Sequence, residues 1–597
     1  MNFDPLANRA SRTPGSFYSL PSPLPFSAAI LLAVLSFALS ACGGGGADSI
    51  EIEPGSTLVV ELGGEYVEGQ SPNLLARIAG DGSRPFLGLL SIFSRAERDD
   101  RISTVVLRIQ PVAIGWGKAD EIRDAILRLR EKGRHVVAYL EIQNFSANKE
   151  LFIASAANET YVTPGAAMPL VGLAAEYLFL GGFWEKLGVD FDVAKAGKYK
   201  SAVEVYAERQ MSDDAREMAN SLLDDTYMRF VAALAEGRGL SPEAVEAAID
   251  AGTVRNQQLE ALGLIDGETH LDELLSRFEG EVVDHADYAT VDPESLGFEA
   301  VGQIALIYGS GAVVQGEAGS SLLQDEAVFA SETASRAIIE ASEDESIDAI
   351  LLRIDSPGGS ALASEIIWRA IGRAQENGTP VVVSMSDVAA SGGYYVASAA
   401  DAIVADPGTL TGSIGVFIIR PILGGLFDKL DIGIDSLTRG RHADFLLSSE
   451  KLSEPALARL QTSVTDTYQL FLARVADGRG LPIETVDALG QGRVWTGAQA
   501  FEAGLVDELG GIYTAARRAK VEIGLGPDED VYLIPYPRPA TLSEQIFDAL
   551  GSVSVLPSRD VESQIDWPAP LDELAQWARV LPTGSPLLVP PLLVEIR

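Results

Sequence analysis

Short apolar runs and amphipathic stretches alternate along most of the chain. In the second half, Gln303 to Val313 reads as a strand, Ala334 to Ser342 as a helix, Ala349 to Ile354 as a strand and Ala363 to Gln375 as a helix. The β-branched run Val381 to Ser384 predicts the next strand, Gly392 to Ala399 a helix of small residues, and Ala402 to Ala405 another strand. Longer helical patterns follow at Glu454 to Ala476 and Ile483 to Leu489, matched in the first half by Asp213 to Ala235 and Pro242 to Ile249. Strands that are apolar throughout and separated by helices belong to parallel sheets covered on both faces, so the pattern predicts an α/β fold.

The chain also matches itself. Leu107-Arg108-Ile109 recurs as Leu352-Arg353-Ile354, and Lys132-Gly133 before Val136 recurs as Asn377-Gly378 before Val381, both at an offset of 245 residues. Ser155-Ala156-Ala157-Asn158 recurs as Ser398-Ala399-Ala400-Asp401 at 243, and Gly237-Arg238-Gly239-Leu240 as Gly478-Arg479-Gly480-Leu481 at 241. Four matches in one order, with a slowly drifting offset, are a tandem duplication. They predict a first domain at 57–280, an acidic, aperiodic linker at 281–299 and a second domain at 300–526. A proline-rich tail follows at 527–597, with one amphipathic stretch from Leu571 to Val580.

At 597 residues the chain is too long for one core, which agrees with two domains. Its 85 acidic and 45 basic residues give a net charge of −40, which argues against a nucleic-acid surface and against attraction to anionic lipid head groups. Arg9 and Arg12 precede an apolar run from Phe26 to Leu39, the length of a signal-peptide core and short for a membrane span. The run ends Leu39-Ser40-Ala41-Cys42 before four glycines, which resembles a bacterial lipoprotein signal. On that reading residues 1–41 are removed, Cys42 is lipidated and 42–56 is a flexible tether. An uncleaved signal anchor is the other reading, and both export the body and hold it at a membrane. Cys42 is the only cysteine, so no intrachain disulfide forms.

Candidate chemistry gathers at Val381 to Tyr395, where a strand delivers Ser391 to Gly392-Gly393 and a helix start. There a hydroxyl sits beside free backbone N–H groups, and glycine lets another chain approach. Helix capping by Ser391 is the simpler alternative. Ser356-Pro357-Gly358-Gly359 is a second glycine turn, after a neighbouring strand, and the N–H groups of Gly358, Gly359 and Gly392 are candidate oxyanion donors. Carried into the first half, Ser391 becomes Asn148, and Gly358 and Gly359 become Ala113 and Ile114. In the other direction Gly197 matches Gly440, while Lys200 becomes Ala443. These complementary losses predict one composite site, with serine from one half and lysine from the other. A buried neutral lysine can serve as the base for serine, whereas a surface lysine grouped with Lys195 and Lys198 would have no such role. Among the four histidines, only His442 falls in a segment aligned with Lys200 and stands as the rival base. No metal-ligand spacing, phosphate-loop motif or dinucleotide fingerprint occurs, so no cofactor is expected.

At these residues the chain resembles the signal peptide peptidase A (protease IV) family in its long, duplicated form. The matching motifs are Asp355-Ser-Pro-Gly-Gly-Ser360, Ala389-Ala-Ser-Gly-Gly-Tyr394, Thr409-Leu-Thr-Gly-Ser-Ile-Gly415 and Tyr199-Lys-Ser-Ala-Val-Glu204. The resemblance implies two tandem domains of ClpP/crotonase-like repeated β-β-α units, with Ser391 as nucleophile and Lys200 as general base. It also implies a membrane-associated homotetramer in the bacterial cell envelope that faces the periplasm and cleaves leftover signal peptides. Which membrane holds it stays open. Ser386-Asp387 departs from the glycines of the long-form pattern and puts an anion on the Ser391 strand. A noncatalytic scaffold and a crotonase-type acyl-CoA enzyme are the two other classes compatible with such a fold.

Overall fold

The computed structural model describes residues 51–69, 84–318, 327–538 and the two-residue strand Leu587–Leu588. The expected signal peptide, Cys42, most of the tether and most of the tail, with its Leu571 to Val580 stretch, lie outside the described residues. The expected alternation of strand and helix is present in both halves. Val381, Val382 and Val383 have no exposure at all, as expected of a central parallel strand covered on both faces.

In the first half, strands Ser56–Val67, Ile102–Ala113, His135–Leu140, Glu159–Val162 and Gly267–Glu268 run parallel in that order. In the second half, Ala300–Ser310, Ala349–Ser356, Val381–Ala390, Ala402–Ala405 and Glu508–Leu509 repeat them, again all parallel. The duplicated motifs explain themselves in three dimensions. The 26-residue helices Asp213–Arg238 and Glu454–Arg479 both end on a left-handed glycine, Gly239 and Gly480. The glycine two residues earlier touches the end of the short helix below: a Cβ on Gly237 would stand 2.0 Å from Ser155 O, and one on Gly478 1.7 Å from Ser398 O.

Two boundaries differ from expectation. The 281–299 stretch contains Val282–Asp284, which joins the first sheet beside Ser56–Val67, and helix His285–Tyr288, whose Tyr288 is fully buried. Beyond residue 526, Asp530–Tyr536 takes the matching place beside Ala300–Ser310. Each half thus adds a late strand beside the first long strand of its sheet, and Pro535 and Pro537 hide the second one from a periodicity reading.

A third, six-stranded sheet joins the halves. Asp190–Ala196 leaves the first half and pairs antiparallel with Val416–Ile422, in register from Ala196↔Val416 to Asp190↔Ile422. Asp192, 6% exposed, anchors the joint. Its Oδ2 accepts hydrogen bonds from Arg420 Nε (3.1 Å) and Nη2 (2.5 Å) and from Leu452 N–H (3.1 Å). Asp192→Ala leaves the Arg420 guanidinium without its anion in a mostly buried place. Chemical denaturation should then show a loss of about 3 kcal/mol, with an unchanged stability ruling out this anchor.

Candidate active site

The Val381–Ala390 strand ends at Ser391, whose backbone has φ 54° and ψ −110°. A residue with a side chain rarely adopts this conformation, which typically costs about 1–3 kcal/mol and persists only where its surroundings enforce it. Ser391 N–H donates to Gly412 O at 2.8 Å, and the helix Gly392–Ala397 starts at the next residue. Gly392 has no room for a side chain, because a Cβ would stand 2.7 Å from Ser364 Oγ and 3.0 Å from Gly359 N. Ser391 is fully buried and its side chain caps no helix N–H, so the capping reading fails.

The Ser391 hydroxyl instead meets Lys200. Lys200 Nζ lies 2.8 Å from Ser391 Oγ, 2.9 Å from Ser413 O and 2.9 Å from Ser413 Oγ. Lys200 follows the Asp190–Ala196 strand across the joint and is held there by the second half. Tyr199 N–H donates to Gln491 O at 2.8 Å, and Gly492, with φ +77°, packs so closely that a Cβ would fall 2.5 Å from Lys200 N. Gly197 and Gly440, paired by the duplication, both hold positive φ (105° and 95°), which supports that alignment. Lys195 and Lys198 pair with Glu204 and Asp214 outside the site.

Lys200 is fully buried, and burial pushes its pKa well below the ordinary lysine value, with no carboxylate to oppose the shift. A neutral amine has two N–H groups and one lone pair. Ser413 O and Oγ accept the two N–H groups, and the lone pair is left to take the Ser391 hydroxyl proton. Sequence reasoning did not single out Ser413, although it lies within the quoted motif Thr409 to Gly415; its φ of 52° turns its carbonyl and hydroxyl onto one amine.

The glycine turn stands beside them. Gly358 N–H is taken by Ser356 Oγ at 3.1 Å, while Gly359 N lies against Gly392. Alongside runs Leu587–Leu588, antiparallel to both neighbours: Leu588 pairs with Gly359, and Leu587 with Ser360 and Phe417. An extended segment of the chain thus fills the slot between the glycine turn and the Val416–Ile422 strand.

His442, partly buried before the short turn Ala443–Leu446, makes no hydrogen bond to Ser391 among the described residues, and its Nδ1 has no partner. Asp387 points away from Ser391, toward the first half, where Gly115 N–H and Lys118 bind it. Among the described residues no group of His, Cys, Asp and Glu is arranged to hold a metal ion, and no helix is long and apolar enough to cross a membrane.

Comparison with known proteins identifies the family. A sequence model of peptidase family S49 matches residues 128–283 and again 373–526, one copy in each half. The serine protease SPPA, chloroplastic, of Arabidopsis thaliana is 35% identical over 532 residues, covering 86% of this chain and 76% of its own length. Protease 4 of Haemophilus influenzae is 30% identical over 519 residues, 82% of each chain. Protease 4 of Salmonella typhi is 30% identical over 563 residues, 88% of this chain and 87% of its own. With both repeats matched and relatives aligned along most of its length, the chain belongs to peptidase family S49 and is a serine protease.

Proposed function

We propose that the protease works through a Ser391–Lys200 dyad on extended apolar peptides, leftover signal peptides among them. The observation that carries the reading is the 2.8 Å contact between a fully buried lysine and a fully buried serine, made across the two halves. Lys200 takes the Ser391 proton as Oγ attacks the scissile carbonyl, and Ser413 O and Oγ hold the resulting ammonium. N–H groups of Gly359 and Gly392 receive the oxyanion; Gly358, whose N–H serves Ser356, shapes the turn. Lys200 then protonates the leaving amine, and water resolves the acyl-enzyme by the same proton path in reverse.

The Leu587–Leu588 strand supports a peptide over an acyl-CoA substrate, since it pairs in the slot through its backbone. Attachment at Cys42, a periplasm-facing body and assembly into a homotetramer complete the reading. Exposed apolar side chains, among them Leu437 at 91% and Leu446 at 87% exposure, support assembly.

Ser391→Ala and Lys200→Met should each lower peptide hydrolysis by at least about a thousandfold, read as kcat on an apolar peptide. Full activity in Lys200→Met would exclude the dyad. In the wild type, kcat/KM should rise with pH along a limb set by Lys200, lying below the ordinary lysine range near 10.4. Stability should report the same group. The unfolded chain binds the Lys200 proton where the folded one does not, so folding gains stability as pH rises, up to the unfolded lysine pKa. Measured melting temperatures of wild type minus Lys200→Met should therefore climb as pH rises toward about 10, and a flat difference would mean an ordinary lysine. A chain ending at residue 538 should show a lower KM for short peptides, with a synthetic Pro586–Pro591 peptide competing against them.

A further inference from the structure

The Ser386-Asp387 pair, set apart by the sequence, lies in an irregular part of the sheet. Pairing between Ala349–Ser356 and Val381–Ala390 is regular up to Ile354↔Met385 and resumes at Ser356↔Ala389. One strand advances two residues while the other advances four, so Ser386 to Val388 bulge outward. Asp355 fills part of the gap, its Oδ1 accepting from Val388 N–H at 3.1 Å.

The rest is filled from the first half. Helix Trp116–Glu131 starts at Gly115 and has no side-chain cap of its own. Its repeat counterpart, Ala361–Glu376, is capped by Ser360, which accepts from Ala363 N–H at 3.3 Å. At the 245-residue offset Gly115 stands where Ser360 would be, and Asp387 does the capping from the other half. Asp387 accepts from Gly115 N–H at 2.9 Å and from Lys118 N–H at 2.8 Å. A Cβ on Gly115 would collide with the Asp387 carboxyl at 2.4 Å. Lys118 stands where the second half has Ala363, and its side chain is 3% exposed. Its Nζ lies 2.5 Å from Asp355 Oδ2, 2.9 Å from Asp387 Oδ2 and 3.5 Å from Glu68 Oε1.

We infer that Lys118 is a positioning residue for the proposed site. Its ammonium draws together Asp355, next to the Ser356–Gly359 turn, and Asp387, on the strand that ends at Ser391, and so sets the spacing between oxyanion turn and hydroxyl. This rests on the dyad reading, which gives that spacing its importance. The charges facing the cluster are Glu68, Arg353, Glu121 and Asp406. Arg353 binds Glu68 at 3.0 Å and Glu121 at 2.6 Å, and burial raises the carboxyls of Glu121 and Asp406, which favours their neutral forms. Tyr308 faces Glu68 from the neighbouring strand. Burial opposes the charged forms throughout the cluster; attraction to Asp355 and Asp387 still raises Lys118, Lys118 lowers Asp387, and burial leaves Asp355 raised. Without the ammonium, Asp355 and Asp387 are like charges in a mostly buried gap, and they either share a proton or move apart. A displacement of about 1 Å at a reacting group can cost about a hundredfold in rate.

Steady-state kinetics of Lys118→Met and of Lys118→Met/Asp387→Asn across pH, beside thermal melts, test the inference. In Lys118→Met, kcat should fall about tenfold in mild acid and about a hundredfold in mild alkali, where both carboxylates ionise, with KM within about twofold of wild type. The double variant should show a pH-independent loss of about tenfold. A kcat equal to wild type in Lys118→Met, a change confined to KM, or the same alkaline fall in both variants would overturn the proposal. Where Lys118→Met alone does not fold, the double variant decides: full kcat overturns the inference, and a tenfold loss at unchanged KM supports it. Failure of the dyad itself is read separately, as activity retained by Ser391→Ala.

Discussion

A lysine ammonium removed from water without an anion beside it is unstable, and the site is built on that fact. Lys200 has no exposure and meets only hydroxyls and a carbonyl. Burial therefore favours the neutral amine, and only the neutral amine can take a proton from serine. Any carboxylate close enough to pair with Lys200 would restore its ordinary basicity and undo the proposed base. The buried carboxylates where the halves meet are engaged with other cations: Asp355 and Asp387 with Lys118, and Glu68 and Glu121 with Arg353. Two lysines from the first half reach the second half with opposite shifts, one lowered by burial among neutral dipoles and one raised among anions.

This arrangement makes the duplication more than two copies of one domain. The second half keeps the serine and the glycine turn, and the first half supplies Lys200 just after a strand that crosses into the shared sheet. Capping has been divided in the same way. Ser360 caps its own helix, while Gly115 leaves its helix to be capped by Asp387 from across the joint. Gly492, Gly197 and Gly115 each stand where a side chain would strike the opposite half, so the close fit is written into residues that lack a Cβ.

Much of this was legible in the sequence for physical reasons. A run such as Val381 to Val383 is covered on both faces and cannot alternate, so it announces a buried parallel strand. The offset of the repeats paired Lys200 with Ala443 and Ser391 with Asn148, and so set the lysine and the serine apart in different halves. Pairing between elements far apart in sequence was not legible. The Asp190–Ala196 strand alternates in character, but its partner is more than two hundred residues away and antiparallel, and no local pattern names it. Ser413 was hidden because its role depends on a positive φ, and Lys118 because one lysine in a helix's first turn looks like any solvated charge.

The glycine turn shows why geometry sharpens a motif. Three N–H groups, of Gly358, Gly359 and Gly392, were equal candidates on sequence. Gly358 N–H is bound to Ser356 Oγ, and Gly358 O accepts from Val313 N–H at 2.9 Å, so this glycine is tied into the turn on both sides. A Cβ on Gly392 would stand 3.2 Å from Gly358 Cα and 3.0 Å from Gly359 N, which puts the second and third candidates side by side. Two donors then carry the oxyanion in the proposed mechanism. Since losing one such donor typically costs about 3–4 kcal/mol in the transition state, their spacing matters as much as the serine itself. That spacing is held from below by Asp355 and Asp387, on the two strands that end at the turn and at Ser391.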